Sequence, residues 1–161
     1  LRAIKKDFSI NKNGVSRVVN QQEKTVTLGI DVKDLLAGSG LSKIFYILGY
    51  KSKRLIHVSV KWGRPVQKKP NAEAVVSTAN QLRNYFAHKK YQKNGFALNA
   101  KLGEGVILVF QGKDKKGRAA RLLLSNPKNK DGEAGENISL TLSYIEKPED
   151  PDVFKIKDGD F

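Results

Sequence analysis

The chain has 161 residues, 30 Lys and Arg against 16 Asp and Glu, a formal net charge of +14, and neither Cys nor Met. Without Cys there is no disulfide framework, thiolate metal site or cysteine nucleophile, and the length fits one domain able to bury a sizeable core. The apolar stretches, such as Ile44 to Leu48, fall far short of the roughly 18 residues a membrane-spanning helix needs.

Residues 1–14 are polar and end in the turn signal Lys12-Asn13-Gly14. Val15 to Asn20 reads as a short strand. Lys24 to Asp31 reads as a half-buried one, with Val26, Leu28 and Ile30 on one face. Asp31 is placed to cap a short helix, with Asp34 adding negative charge to its first turn, and Gly38-Ser39-Gly40 stops it. In the next segment Leu41, Ile44, Phe45 and Leu48 fall at helical spacing with Ser42 as a cap, although Ile44 to Leu48 is rich in strand formers; helix is the expectation for 41–50.

Leu55 to Trp62 alternates as a strand, Ile56, Val58, Val60 and Trp62 facing one way and His57, Ser59 and Lys61 the other. After a loop holding Pro65 and Pro70, Asn71 is a good N-cap. Val75, Ala79, Leu82 and Phe86 then mark the apolar face of a long helix running to about Tyr91. Val106 to Phe110 is a continuous apolar run of the kind found in strands buried on both faces. Residues 111–117 form a hairpin loop, and Arg118 to Ser125 returns as a strand. A polar loop follows, and Ile138 to Ile145 alternates again. Val153, Phe154 and Ile156 give the acidic tail 146–161 something to bury, so it is expected to dock.

The order predicts a single α+β domain over residues 1–161. Its largely antiparallel sheet ends in a three-stranded meander, with one long helix (71–91) and one or two shorter helices on one face. Since the chain begins at Leu1 and holds no Met, a processed or excised segment is expected, and an extracytoplasmic (periplasmic or secreted) location over a cytoplasmic one.

Catalytic constellations are sparse. His57 and His88 are the only His residues and neither has a partner at metal-ligand spacing. Gly38-Ser39-Gly40-Leu41-Ser42-Lys43 lacks the glycines of a dinucleotide fingerprint and the Gly-Lys-Ser/Thr of a P-loop. Asn129-Lys130-Asp131-Gly132-Glu133 resembles the middle of a calcium loop, but its first and last ligand positions fall on Pro127 and Ile138. Lys157-Asp158-Gly159-Asp160 reads as a turn, and Asn137-Ile138-Ser139 as a loose sequon at a strand start. No catalytic residue, metal or cofactor is assigned.

Charge distribution is more informative. Residues 1–50 carry 8 basic and 4 acidic residues, residues 51–100 carry 11 basic residues and the single acid Glu73, and residues 101–161 carry 11 of each. Cations interleave with aromatic rings around Tyr50, Trp62, Tyr85, Phe86 and Tyr91, the residue types that phosphates and bases require. The expectation is a non-enzymatic binding or accessory domain contacting an anionic partner: nucleic acid, anionic glycan, lipid headgroup or acidic protein. The contacts would come from Lys51, Lys53, Arg54, Arg64, Lys68, Lys69, Arg83, Lys89, Lys90 and Lys93. The alternatives are a protein–protein scaffold module whose charge serves solubility, working through a sheet edge or apolar patch, and a small enzyme. The enzyme would need a deep pocket holding His57 or His88 beside Asp31, Asp34 or Tyr85.

Overall fold

The computed structural model describes residues 14–156. Eight strands form one antiparallel sheet: β1 (Val15–Val19), β2 (Val26–Lys33), β3 (Leu41–Leu48), β4 (Leu55–Gly63), β5 (Ala97–Gly103), β6 (Val106–Lys113), β7 (Ala119–Ser125) and β8 (Ser139–Ile145). A single helix among the described residues, α1 (Ala72–Ala87), connects β4 to β5. The spatial order is β1-β2-β3-β4-β8-β7-β6-β5. Two four-stranded meanders therefore meet where β4 pairs with β8, and α1 carries the chain from the centre of the sheet to its far edge.

This architecture corrects the expected fold. The described residues are mainly sheet with one helix; the shorter helices expected between Asp31 and Tyr50 are not formed, and the C-terminal meander has four strands rather than three. Residues 41–48 are β3. Ser42, Ile44 and Tyr46 are buried on its core face, while Lys43, Phe45 and Ile47 point to the other, so the helical spacing of Leu41, Ile44, Phe45 and Leu48 was incidental. The Ser42 hydroxyl, read as a cap, donates to the Val32 carbonyl at 3.0 Å inside the sheet. Asp31 lies within β2, and Asp34 opens the β2–β3 hairpin loop: its backbone takes φ 50° and its carboxylate accepts the Gly40 amide at 2.9 Å. The strand β5 was missed because its alternation is weak; it is an edge strand held by its ladder to β6.

Helix α1 starts where Asn71 accepts the Ala74 amide at 3.1 Å. It ends at Ala87, short of the expected Tyr91, because Tyr91 leaves the helix to pack against Phe110 (centroids 5.1 Å apart) and over Gly112. Gln92 then donates its amide to the Lys113 carbonyl at 2.8 Å instead of to a helical acceptor.

The core face of the sheet carries Leu28, Ile30, Ile44, Tyr46, Val60, Trp62, Leu140, Leu122 and Phe110, which form one contiguous cluster with Val75, Ala79 and Phe86 of α1. Phe86 stacks on Phe110 at 5.1 Å, and Phe96 meets the same ring edge-on at 5.8 Å. The apolar run at Val106–Phe110 has a different origin from the one expected. A bulge between Leu108 and Phe110 inserts Val109, so 108–110 are all buried while Ile107 is exposed.

Tail residues 146–156 form a strap along one end of the sheet. The Glu146 amide donates to Ile56, the Tyr50 amide to Asp152, and the Phe154 amide to Glu23, at 3.1, 2.8 and 2.8 Å. The expected turn at Lys157-Asp158-Gly159-Asp160 and the residues before Gly14 lie outside the described residues.

Candidate functional site

The ten cations singled out by sequence do not gather on one surface. Lys51, Lys53 and Arg54 sit on the β3–β4 turn, and Arg64, Lys68 and Lys69 on the loop leaving the opposite end of β4. The nine residues of that strand hold the two groups about 30 Å apart. Arg83 lies on α1, and Lys89, Lys90 and Lys93 on the segment after it. All but the half-buried Arg83 are exposed, and none of the ten forms an ion pair among the described residues. Their local contacts are individual: Arg64 donates to the Lys68 carbonyl at 3.1 Å, and the Lys89 ammonium lies 4.7 Å from the Tyr85 ring centre. A hydrogen bond to Tyr85 raises the Lys89 pKa.

A different basic group is assembled by register. On the face away from α1, Lys43 of β3 stands directly opposite Lys61 of β4, and Phe45 stands opposite Ser59. Ser59 is opposite Ser143 of β8, Ser143 opposite Arg121 of β7, and Lys61 opposite Thr141. Both ammonium groups border the Phe45 ring, at 5.7 Å for Lys43 and 5.8 Å for Lys61. Like charges directly opposed across a ladder destabilise it, and neither lysine nor Arg121 forms an ion pair among the described residues. Asp31, opposite Lys43 on its other side, is the one carboxylate that the described strands place on this face.

Gly29 shapes the group. It lies opposite Phe45 in β2. A Cβ there would come 3.5 Å from the ring's Cδ1, 3.2 Å from the Lys43 Cε and 2.6 Å from the Ser16 Oγ. The Ser16 hydroxyl, the Lys43 stem and the near edge of the Phe45 ring therefore approach the glycine, which is buried although it sits mid-strand. Lys43 and Phe45 lie in a segment whose apolar spacing also fits a helix, and Arg121 joins them only through strand register, which one sequence does not show. The usable signal was the alternation of Lys43 with Phe45 and of Ser59 with Lys61.

A cleft of about 1070 Å³ lies under the strap and includes Ile47, Tyr50, Arg54, His57, Val153 and Phe154. His57 is half-buried there, its Nε2 without a hydrogen-bond partner, and burial lowers its pKa against the raising influence of Glu23. The cleft brings Glu23 and Glu146 toward His57, but not Asp31, Asp34, Tyr85 or His88. His88 is the exposed C-cap of α1, its Nδ1 2.6 Å from the Asn84 carbonyl. In the hairpin loop of β2–β3, Ser39 accepts the Leu36 amide at 3.2 Å and the chain continues as a strand, so no helix N-terminus is offered to a phosphate. Asn129 organises its own loop by accepting the Asp131 and Glu133 amides at 3.0 and 2.9 Å. Among the described residues no three His, Asp or Glu gather as a metal site, and no helix is long and apolar enough to cross a membrane.

No family model, curated protein or solved structure matches the chain.

Proposed function

We propose that this is a non-enzymatic domain that binds an anionic polymer across the face of the sheet opposite α1. The observation that carries the reading is the Lys43–Lys61 pair, opposed across the ladder in the row next to Phe45 with no ion-pair partner among the described residues. Asp31, across from Lys43, is the one carboxylate the described strands place on this face and no ion pair forms there, so the like-charge opposition is left for a ligand to relieve. An anion between the ammonium groups relieves their repulsion, and Arg121 extends the positive strip across β8 to β7. The scattered cations of the central third add a sequence-independent field that raises the encounter rate.

The test is polyanion binding followed by fluorescence anisotropy as salt is raised. Affinity should fall steeply, and Lys43→Gln with Lys61→Gln should each reduce the slope of log K against log salt by about one. Absence of binding at low salt to DNA, RNA, heparin and anionic vesicles overturns the reading.

A second reading, a protein–protein module, is favoured by one observation: the open β5 edge carries exposed Leu98 and Leu102, with Phe96 just before it and Ile107 beside it on β6. Sedimentation at rising concentration, compared with Leu98→Lys, reads whether that edge joins molecules.

A further inference from the structure

We infer that the β3–β4 turn is a further anion site of the same face and that the strap keeps it closed. Asp152 occupies the turn as an internal stand-in, which an anionic group of the polymer displaces. The inference rests on the polyanion reading above and adds its regulation.

The turn is built to receive an oxyanion. The Lys51 amide, the Ser52 amide and the Ser52 hydroxyl converge on one carboxylate at 3.0, 2.9 and 2.6 Å. Gly49 keeps open the space that this carboxylate fills, since a Cβ there would run into it. Successive backbone amides joined by a hydroxyl offer the same donors to an oxygen of a phosphate or a sulfate. Lys51, Lys53 and Arg54 are carried by the same turn, all exposed, and none forms an ion pair among the described residues. Asp152 therefore takes up the neutral donors and leaves the cations to a larger anion.

The turn also continues the basic surface. Beyond the Lys43–Lys61 row comes the Phe45–Ser59 row, then Ile47 opposite His57, and then the turn, which Gly49 opens about 20 Å from Lys43 along the strand. The strap crosses this path, for Ile47 and His57 lie in the cleft beneath it. Its Glu146, Glu149, Asp150 and Asp152 repel any polyanion approaching that end of the sheet. Yet the strap is not part of the core. None of residues 146–156 is buried; Val153 and Phe154 are half-buried beside the cleft, and Ile156 is 66% exposed. Besides Asp152 and the backbone bonds already given, Phe154 meets Tyr50 edge-on at 5.6 Å with the Lys24 ammonium 4.2 Å from its ring centre, and Glu149 pairs with Lys113 at 2.7 Å on the surface. In the cleft the His57 Nε2 is left without a hydrogen-bond partner. A segment held at a few surface points opens at far lower cost than the domain unfolds.

The experiment titrates the parent chain, Asp152→Asn and Asp150→Asn with DNA, RNA, heparin and anionic vesicles at low salt, with thermal melts to establish that each variant is folded. Both substitutions remove one negative charge from the strap, but Asp150 faces Lys155 at 3.6 Å while Asp152 holds the turn. Asp152→Asn should raise the affinity about threefold or more, because a larger share of molecules has the turn open, and Asp150→Asn should raise it less. Hydrogen exchange on the parent chain alone supplies a readout that does not depend on the variants. Added polyanion should speed exchange of the Tyr50 and Phe154 amides, which bond to Asp152 and Glu23 in the closed strap. The Lys51 and Ser52 amides should stay protected, since they pass from Asp152 to the ligand. If Asp152→Asn binds no better than Asp150→Asn, or if bound polyanion leaves the Tyr50 and Phe154 amides as protected as before, the strap is a fixed part of the fold; the inference falls and the polyanion reading stands. If no probe binds at low salt, both fall.

Discussion

The Asp152 carboxylate and the Ser52 hydroxyl meet at 2.6 Å although 100 residues of chain separate them. The same carboxylate accepts the Lys51 and Ser52 amides at 3.0 and 2.9 Å, and Gly49 has no side chain to block its approach. One acid of the tail thereby fastens the strap to the basic β3–β4 turn.

These hydrogen bonds, led by that from the Ser52 hydroxyl, hold the Asp152 pKa down from 3.8 to about 2. The depressed value means that the unfolded chain takes up the proton first on acidification. The stabilisation is complete above about pH 4 and is lost as pH falls from 3.8 toward 2. Asp152→Asn should lower stability at neutral pH and flatten the stability profile across that window, as read by urea midpoints. It should also speed proteolysis within 146–156.

His57 gives a second pH dependence, in a separate window. Burial pushes its imidazole below 6.5, so the folded state favours the neutral ring. The sign is again that of a depressed pKa: stability is full above pH 6.5 and declines as pH falls through 6.5 toward the folded value. Replacing His57 with Gln should remove this slope between pH 7 and pH 5 in chemical denaturation, leaving the more acidic Asp152 transition in place.

Phe110 is fully buried at the meeting point of Phe86, Tyr91 and Phe96. Truncating it removes the shared ring on which α1, the segment after it and the entry to β5 all pack. Phe110→Ala should cost about 3–5 kcal/mol by thermal or urea unfolding. Because Phe86 stacks on that same ring, Phe86→Ala should cost less in the Phe110→Ala background than it does alone.

Lys61→Gln separates stability from binding. It relieves the like-charge opposition with Lys43, so the variant should gain about 0.2–1 kcal/mol in urea unfolding at low salt. Its affinity for polyanions should fall in the same buffer. A variant that both loses stability and keeps its affinity would show that the pair is structural.

What could be read from sequence was what repeats locally. The alternation of Val26, Leu28 and Ile30, of Val58, Val60 and Trp62, and of Leu140 and Leu142 was legible as strands, and the Asn71 cap with Val75, Ala79 and Phe86 as a helix, because each pattern is set by one element's own burial. Segment 41–48 was misread because eight residues with apolar side chains on both faces satisfy either period, and only pairing with β2 and β4 decides. The same pairing creates the candidate site: Lys43 and Lys61 are 18 positions apart in the chain and adjacent only by register. Composition located the charge excess and could not say that Lys61 is set opposite Lys43 beside Phe45.

Every strand pair but one joins consecutive strands; β4 and β8 alone do not, and His57 must find Ile145 across the whole second meander. The longest closure in the sheet is therefore at this one seam, while the other strand pairs close over loops of 2 to 13 residues. Lys43, Phe45 and Lys61 stand on one side of it, and Thr141, Ser143 and Arg121 on the other. A ligand bound along that line as proposed would act as a suture, holding together the two halves at the pairing of longest closure.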